Sequence, residues 1–273
     1  MKELYSISSV SANQVIQTMN RPVMVLTSDI EYYICKYNRI ATVAYRLYKE
    51  YLGAVFATQF GLSVPEIAVV QVAQENLSDD LGIPKKYFAQ PCFGSKQLPG
   101  CSEVDKHSIV QLGKAANRNQ LRDDLLRISF FDIWIANEDR SHNNYNLLFT
   151  VENGLYHLYV IDHEACFNHG EFPDAALTPI SFEESLLYSD LYTALFSGRR
   201  FFRSIKMEAL KENYYLCLQR CRKHLPEILS DVPSKWNINI PVETRKLETY
   251  LLTDEWFNEA WNNFIQFLQL TVL

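Results

Sequence analysis

The feature that most constrains this chain is a sharp change of character between Phe130 and Phe149. Phe130–Ala136 (FFDIWIA) is almost wholly apolar, Asn137–Asn146 (NEDRSHNNYN) is almost wholly polar, and Leu147-Leu148-Phe149 is apolar again. A helix rich in large side chains therefore stops at a cluster of Asn, Asp, Arg and His, and the chain re-enters as a strand. Unsatisfied polar groups are costly inside a core, so a cluster set between buried elements calls for a ligand, a metal or a dense hydrogen-bond network.

The spacing within the cluster narrows the choice. Asp139 is followed by Asn144 in the pattern D-x-x-x-x-N, the spacing of a kinase catalytic loop. That chemistry needs an Asp to orient an acceptor hydroxyl and take its proton, and an Asn amide oxygen nearby to hold Mg²⁺. Two strands come next, Leu147–Val151 and Tyr156–Ile161, joined through Asn153-Gly154. The second ends in Asp162, which the hairpin can fold back beside Asn144. Asn144 and Asp162 are hard oxygen ligands of the kind Mg²⁺ prefers. Asn146 could take the place of Asn144, although the spacing favours Asn144.

The first hundred residues read as strands plus one helix. Val23–Thr27 and Tyr32–Lys36 are β-branched or aromatic runs split by a turn, and Ile67–Val72 and Tyr87–Phe93 are further strands. Ile40–Phe60 has helical apolar spacing through Val43, Leu47, Tyr51 and Val55, and Gly61 stands at its C′ position. Lys36 is the one charge in its apolar strand, and a buried lysine without an anionic partner is costly. Glu50, mid-helix, could aim a carboxylate at it, with Glu66 and Lys49 as decoys. Gly94, Pro99 and Gly100 punctuate the chain after Phe93 and mark a lobe boundary. Val104–Ala116, Leu121–Ala136, Met207–Leu229 and Glu255–Leu270 read as helices. The expected organisation is a lobe over 1–93 with an antiparallel sheet and one long helix, and a helical lobe over 94–273 carrying the polar loop and hairpin.

Composition excludes several classes. Hydrophobic residues are 48% of the 273 and charged residues 21%, so a disordered or fibrous chain is out. The formal charge is −6 without a basic run that could neutralise many phosphates, which argues against direct nucleic-acid binding. No apolar stretch reaches the ~18 residues of a membrane span, and Met1–Ser11 has no signal-peptide core, so a cytoplasmic protein off the membrane is expected. The six scattered cysteines, including Cys217 and Cys221 four apart, read as reduced thiols rather than a zinc site. The aromatic stripes near Trp134, Trp256 and Trp261 read as core.

The segments Asn137–Leu148 and Val160-Ile161-Asp162-His163 resemble the catalytic loop and metal-binding Asp of the HipA-like kinases, in the branch with a D-R-x-x-x-N-x-N-L-L loop and an I-D-H metal motif. The D-R-x-x-x-N core is also similar to that of phosphatidylinositol kinases. Upstream, Tyr32–Lys36 resembles the strand with the ATP-binding lysine and Lys49–Leu52 the helix with its glutamate. Leu62–Glu66 and Phe93–Lys96 resemble further landmarks. The likeness covers roughly Arg21 to Phe167.

The resemblance implies a two-lobed α+β kinase fold, with a small β-rich lobe and a mainly helical one. It implies transfer of the ATP γ-phosphoryl group to a hydroxyl, most simply of a protein Ser or Thr, with ATP and Mg²⁺ as cofactors. Asp139 would be the base, Asn144 and Asp162 the metal ligands, Lys36 the phosphate-binding cation and Glu50 its orienting partner. Gln90-Pro91-Cys92-Phe93 would face the adenine. An antitoxin-like protein partner is implied as well. A lipid or small-molecule kinase is one alternative, and a catalytically silent pseudokinase acting as a binding module is another. Arg140 could pair with a carboxylate or an acceptor phosphate, or pack the loop through a salt bridge. His142 and His163 admit a weak zinc reading with Asp162, and His163 more simply hydrogen-bonds the loop. Two positions depart from the pattern. Glu164 stands where the family has glycine, and no glycine occurs in Asn20-Arg21-Pro22 or Thr27-Ser28-Asp29, where a phosphate-covering loop would be glycine-rich.

Overall fold

In the computed structural model, residues 1–40, 42–168, 176–196 and 207–271 are described. They divide into two compact units, one of Met1–Leu52, Pro65–Pro99 and Glu227–Ile240, the other of Gly53–Val64, Gly100–Pro226 and Pro241–Leu273.

The first unit is built on a five-stranded sheet in the order β1-β4-β5-β3-β2. The strands are β1 (Lys2–Tyr5), β2 (Val23–Leu26), β3 (Tyr32–Lys36), β4 (Ile67–Gln71) and β5 (Cys92–Lys96). Period-2 alternation puts Val23, Val25, Tyr33, Cys35, Ala68, Val70 and Cys92 into one buried cluster. The expected β2–β3 hairpin forms with Val23 opposite Cys35. β1 was not foreseen; it pairs parallel to β4, with Lys2 opposite Ala68.

The expected strand over Tyr87–Phe93 is corrected: Lys85–Phe88 is a 3₁₀ turn and the strand begins at Cys92. Pro91 has no N–H for a ladder, so pairing starts beyond it. Gly94, read from sequence as punctuation, lies inside β5, opposite both Cys35 and Ala68. A Cβ there would stand 2.7 Å from Val70 Cγ2, so the close approach of that side chain requires glycine.

Helix α1 (Tyr45–Gln59) ends as foreseen. Gly61 sits at φ +72 and the Leu62 amide donates to the Ala57 carbonyl at 3.0 Å, a Schellman-type stop. The segment 227–240, which carries no sequence motif, closes the first unit. The Trp236 indole N–H donates to the Pro91 carbonyl at 2.7 Å and the Tyr51 hydroxyl to the Ile228 carbonyl at 2.7 Å. Trp236 is fully buried. Trp236→Phe should therefore cost about 1–3 kcal/mol by stranding the Pro91 carbonyl, and Trp236→Ala about 3–5 kcal/mol, read as a lowered urea midpoint.

The second unit is mainly helical: α2 (Lys106–Leu112), α3 (Arg118–Trp134), α4 (Asp190–Phe196), most of α5 (Met207–Ser230) and of α6 (Ile240–Lys246), and α7 (Asp254–Leu270). The expected helix over Val104–Ala116 is shorter, because Asp105 caps α2 through the Ser108 amide at 2.7 Å and Ser102–Glu103 joins a sheet as β6. Phe60, Phe130, Phe131, Trp134, Tyr214, Phe257, Trp261 and Phe264 form one aromatic core. Trp256 is buried and donates to the Trp134 carbonyl at 2.7 Å.

The expected hairpin is β7 (Leu147–Glu152) and β8 (Leu155–Val160), with β6 on the outer side of β7. Asn153 and Gly154 both take positive φ, the two-residue I′ turn their sequence predicts. Among the described residues no disulfide joins any of the six cysteines. Burial holds the Cys92 thiol up at about 12 and raises Cys217 as well, so these are neutral core thiols.

Candidate active site

In the first unit, Lys36 ends β3 and its Nζ forms an ion pair with the Glu50 carboxylate of α1, Glu50 being almost fully buried. The helix turns Glu50 toward the sheet, whereas Glu66 pairs with Lys2 and stands 3.8 Å from Lys96, which removes it as a decoy. Phe93 lies directly across the ladder from Lys36 and so shares its face of the sheet.

The neighbouring residues divide differently. The Cys92 side chain belongs to the buried cluster on the opposite face, so its thiol is structural. Gln90 accepts from Asn38 Nδ2 at 2.5 Å and donates to the Lys235 carbonyl at 2.7 Å, so its amide ties two loops together. Within Gln90-Pro91-Cys92-Phe93 the Gln90 amide and the Cys92 thiol thus have structural partners, and Phe93 shares the face of Lys36.

Val15 bridges Val23, and the loop between them contains no glycine. It closes through the Ile16 amide to the Pro22 carbonyl at 2.9 Å, with Arg21 at φ 45. Asn20 anchors it: its carbonyl accepts from Arg39 and its side-chain oxygen from Arg46 at 3.1 Å.

In the second unit, α3 runs into the polar loop through Ala136 at φ 50. Asp132, in the last turn of α3, is fully buried and accepts from Arg140 and from Asn137 Nδ2 at 3.0 Å. Asn137 in turn accepts from the Asp139 amide at 3.3 Å. Arg140, also at 0% exposure, donates to the Ile161 carbonyl at 2.8 Å and reaches the Asn146 carbonyl at 3.4 Å. The Arg140 alternatives therefore resolve: it packs the loop and has no free face for an acceptor phosphate. Burial pushes the Asp132 carboxyl up to about 6, against the pull of Arg140. Asp132 was not singled out from sequence; the available signal was a lone carboxylate within an apolar helix end, ahead of an arginine.

On this anchor Asp139 Oδ2 accepts from Asn144 Nδ2 and from Asn146 Nδ2, each at 2.9 Å. Both amides turn their nitrogens to Asp139, leaving their carbonyl oxygens as hard donors. Asp162 comes after β8 at φ 57, next to Ile161, whose amide donates to the Asn146 carbonyl at 3.1 Å. Glu164 is half-buried, and a carboxylate oxygen of each of Asp162 and Glu164 lies within 4.8 Å of the other. Oxygen donors without a thiolate or imidazole among them fit Mg²⁺, and Glu164 adds a carboxylate in place of the expected glycine.

The histidines separate. His142 is exposed against Tyr188, 5.3 Å between ring centroids, while His163 is buried against Phe131 at 6.2 Å. The structure thus brings Lys36, Glu50 and Phe93 together in one unit, and Asp139, Asn144 and Asn146 in the other beside the strand end that bears Asp162.

A family model described as HipA-like kinase matches residues 7–255. The chain belongs to the HipA-like kinase family. The match runs well beyond Phe167, so it takes in most of the C-terminal residues that carry no readable motif. Among solved structures the HipA-like chain is similar to the crystal structure of the Helicobacter pylori proinflammatory kinase CtkA, with a TM-score of 0.55 and 13% identity over 96% of this chain and 97% of that one. It also matches HipA from Shewanella oneidensis MR-1, solved with HipB and operator DNA, at a TM-score of 0.47 and 12% identity, covering 84% of this chain and 60% of that one. The CtkA likeness shows that the α+β fold is kinase-like. No curated protein sequence matches the chain. Among the described residues no helix is long and apolar enough to cross a membrane.

Proposed function

We propose that this HipA-like kinase transfers the γ-phosphoryl group of ATP to a hydroxyl, most simply that of a protein Ser or Thr, in the cytoplasm. The observation that carries the reading is Asp139, held by two carboxamides on a loop that Asp132 and Arg140 pin beside Asp162. Bound Mg²⁺, held by Asn144 or Asn146 and by Asp162, would neutralise charge on the phosphates. The Asp139 carboxylate orients the acceptor and takes its proton as the hydroxyl oxygen bonds to the γ-phosphorus and the bond to the ADP oxygen breaks. Lys36, kept charged by Glu50, holds the α- and β-phosphates. This chemistry requires both clusters to engage one nucleotide.

The test is intact-mass measurement after incubation with Mg-ATP and a cell lysate, then mapping of whatever gains phosphate. Lys36→Met should lower the transfer rate by about 10²–10³-fold, as expected for one electrostatic donor removed. Unchanged transfer in that variant would sink the assigned role.

A second reading, a nucleotide-binding pseudokinase, is favoured by the loop over 16–22, which Arg39 and Arg46 tie down at Asn20 and which has no glycine. Thermal stabilisation by nucleotide without transfer would support it, and no nucleotide effect at all would remove both readings. An antitoxin-like protein is the proposed partner, as membership of the HipA-like family suggests.

A further inference from the structure

A glycine inside a helix costs about 0.5–1 kcal/mol relative to alanine, so Gly53, in the middle of α1, needs a reason. The reason is a close approach. A Cβ at this position would lie 2.3 Å from His163 Cβ, 2.6 Å from Cγ and 3.1 Å from Cδ2. The atom it meets first is bound directly to the His163 backbone, not the far end of a flexible side chain. Relief to ordinary contact needs roughly 1 Å of movement.

His163 has little room to give that ångström. It is 1% exposed, with its ring edge-on to Phe131. Its carbonyl accepts from the Cys166 amide at 3.1 Å, and the next turn is fastened where the Phe167 amide donates to the Ile135 carbonyl at 3.0 Å. On the other side of Asp162, Ile161 is held at its amide by Asn146 and at its carbonyl by Arg140. Asp162 itself sits at φ 57, a conformation that a non-glycine residue keeps only where its neighbours impose it. One of those neighbours is the residue seated against Gly53.

We propose that Gly53 is a positioning residue: its missing side chain leaves a notch that seats His163 and so fixes the direction of the Asp162 carboxylate. This rests on the kinase reading, in which Asp162 is a metal ligand. A methyl group at position 53 moves either His163, and with it Asp162, or α1. Glu50 lies one turn earlier in the same helix, so the two responses can be separated: the first weakens binding of the metal–nucleotide complex, and the second weakens nucleotide binding with or without metal.

The experiment is calorimetric titration of the full chain with ATP, in Mg²⁺ and in EDTA, for wild type, Gly53→Ala, His163→Gly and the double variant. Gly53→Ala should weaken Mg-ATP binding about tenfold, since a misplacement near 1 Å can cost up to ~10²-fold, and leave metal-free ATP binding within about twofold. On the His163→Gly background the same change should shift Mg-ATP binding by less than about twofold, because Cβ, Cγ and Cδ2, the three atoms that a Cβ at position 53 meets, are all gone and the coupling vanishes. If Gly53→Ala does not fold, the double variant matching His163→Gly carries the test.

Wild-type Mg-ATP affinity in Gly53→Ala overturns the proposal. So does an equal loss with and without metal, or a tenfold loss that persists on the His163→Gly background. Wild type that fails to bind Mg-ATP overturns the kinase reading instead.

Discussion

Asp139→Asn should bind Mg-ATP and remain folded while losing phosphoryl transfer by about 10²–10⁴-fold, the range a positioned general base supplies. The substitution keeps the shape of the side chain and removes its capacity to accept a proton. The loop does not depend on Asp139 for its anchorage, because Asn137, Arg140 and Asp132 hold it from beneath. One local cost is expected: Oδ2 accepts from two carboxamide nitrogens, and an amide at that position can present its oxygen to them only in one orientation. Single-turnover transfer to the mapped acceptor, alongside Mg-ATP titration, checks this. Transfer near the wild-type rate would exclude Asp139 as the base.

Arg140→Ala should be the most destabilising single change in the loop. Removing one partner of a fully buried ion pair leaves the other charge uncompensated, at about 3–5 kcal/mol. The Ile161 carbonyl loses its donor as well, and Asp162 loses the restraint beside it.

The pH dependence has a definite sign. Burial raises the Asp132 carboxyl from 3.8 to about 6 in the folded protein, so the folded state favours the protonated form and ionisation opposes folding. That contribution is lost as pH rises from about 4 through about 6. Without Arg140 to oppose burial, the carboxyl rises further, and the deficit of Arg140→Ala relative to wild type should be larger at pH 7 than at pH 5 by urea denaturation. A deficit independent of pH would mean that Asp132 is not the charge left behind. Replacing both residues, Asp132→Leu with Arg140→Met, should recover much of the stability. It should not recover transfer, since neither apolar side chain can hold the Ile161 carbonyl.

Much of the chain was legible locally. Period-2 alternation marks β2 and β3, helical spacing and Gly61 mark α1, and Asn153-Gly154 marks the hairpin, because each depends on backbone preferences within a few residues. Lys36 stood out as the lone charge in an apolar strand and Glu50 as a mid-helix carboxylate able to reach it, and burial makes pairing the favoured outcome. Other features had no local signature. Alternation shows that a strand has a buried face but not which strand it joins, so β1 alongside β4 could not be read. Pro91 hid the true start of β5, and the core position of Cys92 came from a register that only pairing determines.

The order of the residues alone settled which chemical groups this protein carries and in what spacing, since a D-x-x-x-x-N loop and a strand-end carboxylate are properties of the linear chain. Only tertiary packing decided what holds them. Asp132 becomes the anchor of the loop because the end of α3 buries it against Arg140, and Gly53 matters because His163 is packed onto it. Burial and steric contact join residues far apart in the chain, and no local pattern of polarity encodes them.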